Sequence, residues 1–350
     1  MSKPSLTDLS SASFSRRIVR WYHQHGRKHL PWQTADGTVP NPYHVWLSEI
    51  MLQQTQVVKV IEYFDRFVTA LPSLNDLAAA DEQQVLALWS GLGYYNRARN
   101  LHKAAQQCVA NHLGQLPQAL DQLMALPGIG RSTAAAIMSL AYGQPEPIMD
   151  GNVKRVFSRH FLVSGEPNQA STLKQLWSLA GKHKEYQEPA AYTQGLMDLG
   201  ATLCTRSQPI CTVCPVVNSC EAHRLDVVAD YPQKKNKVVQ KEVDWYVVLI
   251  MDDDKIGLCQ RQGNQIWPNL WFLPTFADEQ GLLAEVPDGQ HRFSLTHKLT
   301  HRILQIHVYV AANSTATHKG PNVNWVSRAE LHDTPHPKAL NHILKQHDNH

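Results

Sequence analysis

Apolar residues recur at helical spacing from about Phe14 to Leu225, and the pattern changes beyond residue 240. "FSRRIVRWY" repeats them every three to four positions, and "YHVWLSEIMLQQ" follows a proline that suits a helix start. "TQVVKVIEYFDRFVTAL" offers Thr55 as an N-cap, and "DEQQVLALW" pairs Asp81 with Gln84 as a capping box would. "GLG" then breaks the chain before "YYNRARNLHKAAQQCVANHLG", which ends on a helix-stopping glycine. No strands alternate with these helices, so residues 1–226 read as an all-α domain. "YPQKKNKVVQKE" is polar, basic and proline-containing, which makes 227–240 a linker. Beyond it, "VDWYVVLIMDDDKIGLCQR" reads as two strands around an acidic turn and "RILQIHVYVAAN" as another strand, so 241–350 is an α+β domain. No internal repeat or low-complexity segment interrupts this order.

Composition adds bounds. The chain has 350 residues, 43% of them hydrophobic and 18% charged, which allows two folded cores and argues against extensive disorder. The opening "MSKPSLTDLSSASF" holds no apolar core segment and no run is long enough to span a bilayer, so a cytoplasmic location is expected. Residues 1–226 carry 20 Lys and Arg against 17 Asp and Glu, and residues 227–350 carry 13 against 13. A surplus this small neither requires nor forbids nucleic acid, so a DNA-binding case must rest on local placement.

Three local patterns carry chemistry. In "PIMDGNVKRV", Asp150 stands at a helix start. Plain capping explains it, but a cap also fixes a carboxylate in place and is expected to keep it ionised with a low pKa, ready to stabilise a cation. In "LMALPGIGRSTAAAIMSLAY", a turn with Gly128 and Gly130 joins two helices. Such a turn is often only structural, yet its glycines let the backbone approach a partner, and the following helix start presents N–H groups to a phosphate. Finally, Cys204, Cys211, Cys214 and Cys220 are separated by six, two and five residues. Structural zinc competes for them, but zinc sites usually show two close pairs and here only one pair is close. Four thiolates on one short segment suit a [4Fe–4S] cluster, with a structural role. Cys108 and Cys259 stand alone and read as small hydrophobes.

"LPGIGRSTA" resembles the helix-hairpin-helix element of DNA repair glycosylases, and with the cysteine loop the chain resembles the endonuclease III and MutY superfamily. "WLSEIMLQQTQV", "GLGYYNRARNLHKAA" and "DGNVKRV" place it closest in pattern to the adenine-excising MutY branch, from about Phe14 into the C-terminal domain. The resemblance implies a monofunctional glycosylase of base excision repair acting on adenine opposite 8-oxoguanine or G. It implies Glu49, among Trp46, Leu47, Ile50 and Met51, as proton donor, Asp150 as the charge facing the sugar, and Asn152 as its orienting neighbour. Trp32, Leu52 and Gln194 would line the adenine pocket. Gln54, Thr55, Tyr94, Gly128, Gly130, Lys154 and Arg206 would contact DNA, with Gln54 and Tyr94 wedged into the base stack.

Strand-nicking members carry a lysine nucleophile in the second hairpin helix, where this chain has Ser132. A bifunctional pyrimidine glycosylase-lyase and a non-catalytic DNA-binding scaffold are the rival readings. The second domain resembles the family's Nudix-like domain, and its scattered Glu242, Glu279, Glu285 and Glu330 argue against a magnesium hydrolase. His297, Leu299, Thr300 and His301 match the loop that inspects 8-oxoguanine, although the family usually reads His-x-Phe-Ser-His and Leu299 replaces the aromatic. The partner implied is duplex DNA carrying A·8-oxoguanine or A·G mispairs, bound by a monomer at the nucleoid, with no membrane.

Overall fold

The structure is a computed structural model that describes residues 6–34, 40–185, 187–234, 240–263, 265–299, 301–312 and 323–349. Its described helices are α1 (Leu6–His25), α2 (Pro42–Leu52), α3 (Val57–Ala70), α4 (Leu74–Ala79), α5 (Glu82–Leu88), α6 (Asn96–Asn111) and α7 (Leu120–Met124). They continue as α8 (Arg131–Tyr142), α9 (Gly151–His160), α10 (Ala170–Lys182), α11 (Pro189–Thr202), α12 (Glu221–Arg224), α13 (Glu279–Glu285) and α14 (Lys338–Asp348). The strands are β1 (Lys241–Asp252), β2 (Lys255–Gln260), β3 (Trp271–Phe272), β4 (Thr275–Phe276), β5 (Gln290–Lys298), β6 (Arg302–Ala312) and β7 (Asn324–Ser327). Two compact units result, one of residues 1–78 with 103–236, the other of 79–102 with 237–350.

Helix signals in the sequence act with some differences. Asn41 caps α2 by accepting from the Tyr43 N–H at 2.9 Å, and Pro42 occupies the first turn, where its missing N–H costs nothing. Asp81 caps α5, but at the Gln83 N–H (3.0 Å). Thr55 does not cap α3: Gln56 holds that place without a side-chain bond, and the Thr55 hydroxyl donates to the Gln53 carbonyl at 3.4 Å. The core of the first unit joins Phe14 and Ile18 of α1 to Phe157 of α9, Leu176 of α10, and Leu196 and Leu199 of α11. Burying such faces supplies most of the stability of short helices.

In the second unit the strand order is β3-β2-β1-β6-β5, with β4 on β1 and β7 on β2. β1 and β2 form the hairpin read from the acidic turn, whereas β1 pairs β6 in parallel. Val247 and Leu249 face a core closed by Leu340 and Ile343 of α14, and Val248 and Ile250 face Leu282 of α13. Both faces of β1 are therefore covered there, which explains a continuous apolar run in place of alternation. The segment 79–102 is bonded to this sheet unit: the Tyr95 hydroxyl donates to the His336 carbonyl at 2.6 Å, and Asn269 Nδ2 donates to Glu82 Oε1 at 2.8 Å.

Candidate functional site

Glu49 lies on α2 between fully buried neighbours: Trp46, Leu47 and Met51 are 0% exposed. Enclosure in this apolar wall pushes its carboxyl up to about 8, and the negative charge of Asp150 adds to the effect. The two acids, a hundred residues apart in sequence, are thus electrostatic neighbours. Neither is sealed off, since both keep part of their surface open.

Asp150 caps α9, its Oδ1 accepting from the Val153 N–H at 2.7 Å and its Oδ2 from Asn152 Nδ2 at 3.3 Å. Capping does not give it the low pKa read from the sequence. Burial raises it, against the opposing pull of the Val153 N–H, Arg155 and Asn152. Those donors still separate the pair: Asp150 is faced by a cation and several hydrogen-bond donors, and Glu49 only by apolar walls and a like charge. Of the two raised carboxyls, Asp150 is the one whose surroundings favour its charged form.

Asn152 is itself held. Its Oδ1 accepts from Arg155 Nη2 at 2.8 Å, while Arg155 donates through Nη2 to the Gly200 carbonyl and through Nε to the Cys204 carbonyl, both at 2.6 Å. Gly200 permits this approach, because a Cβ there would lie 2.5 Å from the Asn152 Cβ. Arg159, 2% exposed, donates to Cys204 Sγ at 3.3 Å and to the carbonyls of Thr205, Arg206, Val228 and Tyr231. Neither arginine was singled out in the sequence. The available signal was a pair of cations three and seven residues after Asn152, one helical face, on a helix whose other face is apolar.

Cys204, Cys211, Cys214 and Cys220 line one apolar cavity. Among the described residues no three His, Cys, Asp or Glu side chains converge tightly enough to hold a single metal ion. Four thiols around one apolar void form a donor set that a metal group could occupy. Burial, and then the neighbouring thiols, push the Cys214 thiol up.

The hairpin runs from α7 through Leu126 to α8. Gly128, at φ 79°, and Gly130 are exposed, while Ile129 between them is 4% exposed and anchors the turn. A Cβ at Gly130 would meet nothing within 4 Å, so the space beside it is open to a partner. Ser132 Oγ accepts from the Met149 N–H at 3.0 Å. Lys154 Nζ donates to Asn168 Oδ1 at 2.8 Å, and Arg206 is exposed on the cysteine loop.

The remaining candidates fall into separate networks. Gln54 is exposed with φ 58°, in the left-handed region that costs a non-glycine residue strain, and Thr55 follows it. Trp32 packs edge-on against Phe64 at 5.3 Å, and Leu52 ends α2 half-buried. Gln194 Nε2 donates at 2.9 Å to Asp198, a fully buried acid that Arg27 grips through Nε, Nη2 and its backbone N–H. The Arg27–Asp198 pair was missed, although an acid inside "GLMDLG" was visible. No described interaction joins Trp32, Leu52 and Gln194 to one another.

In the second unit, Tyr94 is 48% exposed at φ 53°, with the Arg97 guanidinium 5.5 Å from its ring and 5.4 Å from that of Trp89. His297 is not on a loop. It is the penultimate residue of β5, edge-on to Trp267 at 5.5 Å, and burial lowers its pKa with help from His342 and Lys338. Leu299 packs against the α14 side of the sheet, and its N–H donates to the Arg302 carbonyl at 2.8 Å across a tight turn. His301 is exposed on that turn, and Thr300 lies outside the described residues. Glu279 accepts from the Tyr309 hydroxyl at 2.6 Å and Glu330 from Ser327 at 2.8 Å, so both serve local structure.

The family model described as "HhH-GPD superfamily base excision DNA repair protein" matches residues 47–182, and that described as "NUDIX domain" matches residues 245–346. Over 301 residues the chain is 37% identical to the adenine DNA glycosylase of Buchnera aphidicola subsp. Acyrthosiphon pisum (strain APS), covering 84% of this chain and 85% of that one. It is 30% identical over 404 residues to the adenine DNA glycosylase of Mus musculus, covering 97% and 78%. Of solved structures, a thermostable thymine-DNA glycosylase matches with a TM-score of 0.55 at 26% identity, over 63% of this chain and 100% of that one. Endonuclease III in a non-covalent DNA complex matches with 0.52 at 22%, over 63% and 99%, which speaks to the fold alone. With its hairpin, acid pair and cysteine loop on a base excision repair fold, the chain belongs to the adenine DNA glycosylase family.

Proposed function

We propose that this protein excises adenine from duplex DNA by hydrolysing its N-glycosidic bond where adenine faces 8-oxoguanine or G, and leaves the abasic strand uncut. The observation that carries the reading is the acid pair, with Glu49 set among the buried Trp46, Leu47 and Met51 and Asp150 accepting from the Val153 N–H and Asn152 Nδ2. Adenine leaves the stack, at a cost of a few kcal/mol. Glu49 donates its proton to N7, and the C1′–N9 bonding electrons pass to the base. Asp150, oriented by Asn152, stabilises the oxocarbenium ion. The Glu49 carboxylate then takes a proton from water as its oxygen adds to C1′.

Trp32, Leu52 and Gln194 are assigned to the adenine pocket, and Gln54, Thr55, Tyr94, Gly128, Gly130, Lys154 and Arg206 to DNA contact. Cys204, Cys211, Cys214 and Cys220 would hold a [4Fe–4S] cluster, which supplies rigidity to the loop bearing Arg206. The assignment divides the chain into catalytic residues 1–226, a linker at 227–240 and a lesion-recognising Nudix-like domain at 241–350, with His297 at the end of strand β5 and Leu299, Thr300 and His301 after it as the recognition residues. A monomer acting on cytoplasmic, nucleoid DNA follows from this reading. Among the described residues, no helix is long and apolar enough to cross a membrane.

Single-turnover assays on A·8-oxoguanine, A·G and thymine glycol duplexes test the proposal. Adenine release from the first two, with strand breaks only after hot alkali, is the expected result. Efficient borohydride trapping, or preference for the oxidised pyrimidine, would favour the lyase reading and sink this one.

A further inference from the structure

We infer that Ser132 is a positioning residue for Asp150, and that Thr133 does the same for the end of the Glu49 helix, so that the first turn of α8 sets the two acids against each other. The inference rests on the acid-pair reading above. Ser132 Oγ accepts the N–H of Met149 at 3.0 Å. Met149 is 3% exposed and directly precedes Asp150, whose backbone is extended at φ −78° and ψ −178°. An extended segment outside a sheet has no ladder to receive its N–H groups, so the hydroxyl supplies the missing acceptor and ties Asp150 to the hairpin.

One residue on, Thr133 Oγ1 accepts from Gln53 Nε2 at 3.3 Å. Gln53 caps the C-terminus of α2 and lies four residues after Glu49, hence on the same helix face. The same helix turn that follows Gly130 therefore holds both acid-bearing segments. A serine at this position is then more than the absence of a nucleophilic lysine.

The matched pair Ser132→Thr and Ser132→Val, with Ser132→Ala, tests this in the full-length protein. Thr keeps the acceptor, and Val has the same shape without it. Val and Ala should lower the single-turnover excision rate by about ten- to a hundredfold with unchanged duplex affinity, and Thr should restore most of the rate. The alkaline limb of the rate profile should also move to lower pH in Val and Ala, because a displaced Asp150 raises the Glu49 pKa less. A loss of folded protein common to Val and Thr reports shape and leaves their rate ratio as the readout. Equal rates for Val and Thr, or a rate loss that tracks affinity with an unmoved limb, would overturn the inference. Thr133→Val should show a milder loss, and an unchanged rate there would overturn that half. Asp150→Asn is run in parallel: if it cuts adenine normally, the acid-pair reading itself falls, whereas an inactive Asp150→Asn beside a fully active Ser132→Val refutes the positioning role alone.

Discussion

At the scale of single residues, the chemistry turns on where one proton sits. Glu49→Gln cannot donate and Asp150→Asn cannot offset positive charge, so each should abolish excision while duplex binding persists. Loss of general acid catalysis alone is worth about 10²–10⁴-fold. A near wild-type rate in either variant would refute the assignment. With Glu49 raised from its ordinary 4.5 to about 8, excision of the substrate by free enzyme should fall as pH rises through about 8. The same shift has a stability consequence. Folding holds the Glu49 proton more tightly than the unfolded chain does, so its contribution is full below about pH 4.5 and is lost as pH rises to about 8. Glu49→Gln should therefore melt increasingly above wild type across that window, which thermal denaturation at a series of pH values checks.

At the scale of elements, α9 is where the capping acid and the cysteine loop meet. Asp150 and Asn152 stand at its start, and Arg155 and Arg159 on its following turns bond the loop around Cys204. Arg155→Gln should cut excision by tenfold or more and loosen the loop, since a buried hydrogen bond to a charged group is worth about 1.5–3 kcal/mol. Its metal content after purification and its rate should both drop; a normal rate would show that Asn152 holds itself. For the loop, purified protein should be yellow-brown with about four irons per chain. Cys211→Ser should weaken DNA binding more than it lowers helical circular dichroism, and stoichiometric zinc after anaerobic preparation would contradict the cluster.

At the scale of the whole molecule, no tight group of three His, Cys, Asp or Glu side chains occurs among the described residues of the second unit, yet Leu299 and His301 follow the end of β5. His297→Ala should reduce the preference for A·8-oxoguanine over A·G by about tenfold or more, because a base-edge contact is worth roughly 1–3 kcal/mol. The rate on A·G should change less. Leu299→Phe should sharpen the preference. Comparison of single-turnover rates on the two duplexes decides both, and an unchanged ratio in His297→Ala would give this unit another task. His297 acts from a strand and against Trp267, so part of its effect should come from holding the turn in shape.

The sequence by itself determined what depends on near neighbours along the chain. Helical periodicity, the proline start of α2, the Asp81 and Asp150 caps, the β1–β2 hairpin, the glycine turn and the cysteine spacing are all local, and each was legible because its physics acts within a few residues. Thr55 shows the limit even there, since either of two adjacent residues can end the turn. Tertiary structure alone decided the rest. The rise of the Asp150 pKa comes from burial, which capping does not reveal; the parallel pairing of β1 with β6 joins segments some sixty residues apart; and His297 became a strand residue through its pairing with Leu304. The bond from Met149 to Ser132 and the hold of Arg155 on Cys204 likewise link positions whose contact no local pattern encodes. Local propensity is written in short windows of sequence, whereas desolvation and hydrogen-bond partnership belong to whatever the folded chain brings alongside.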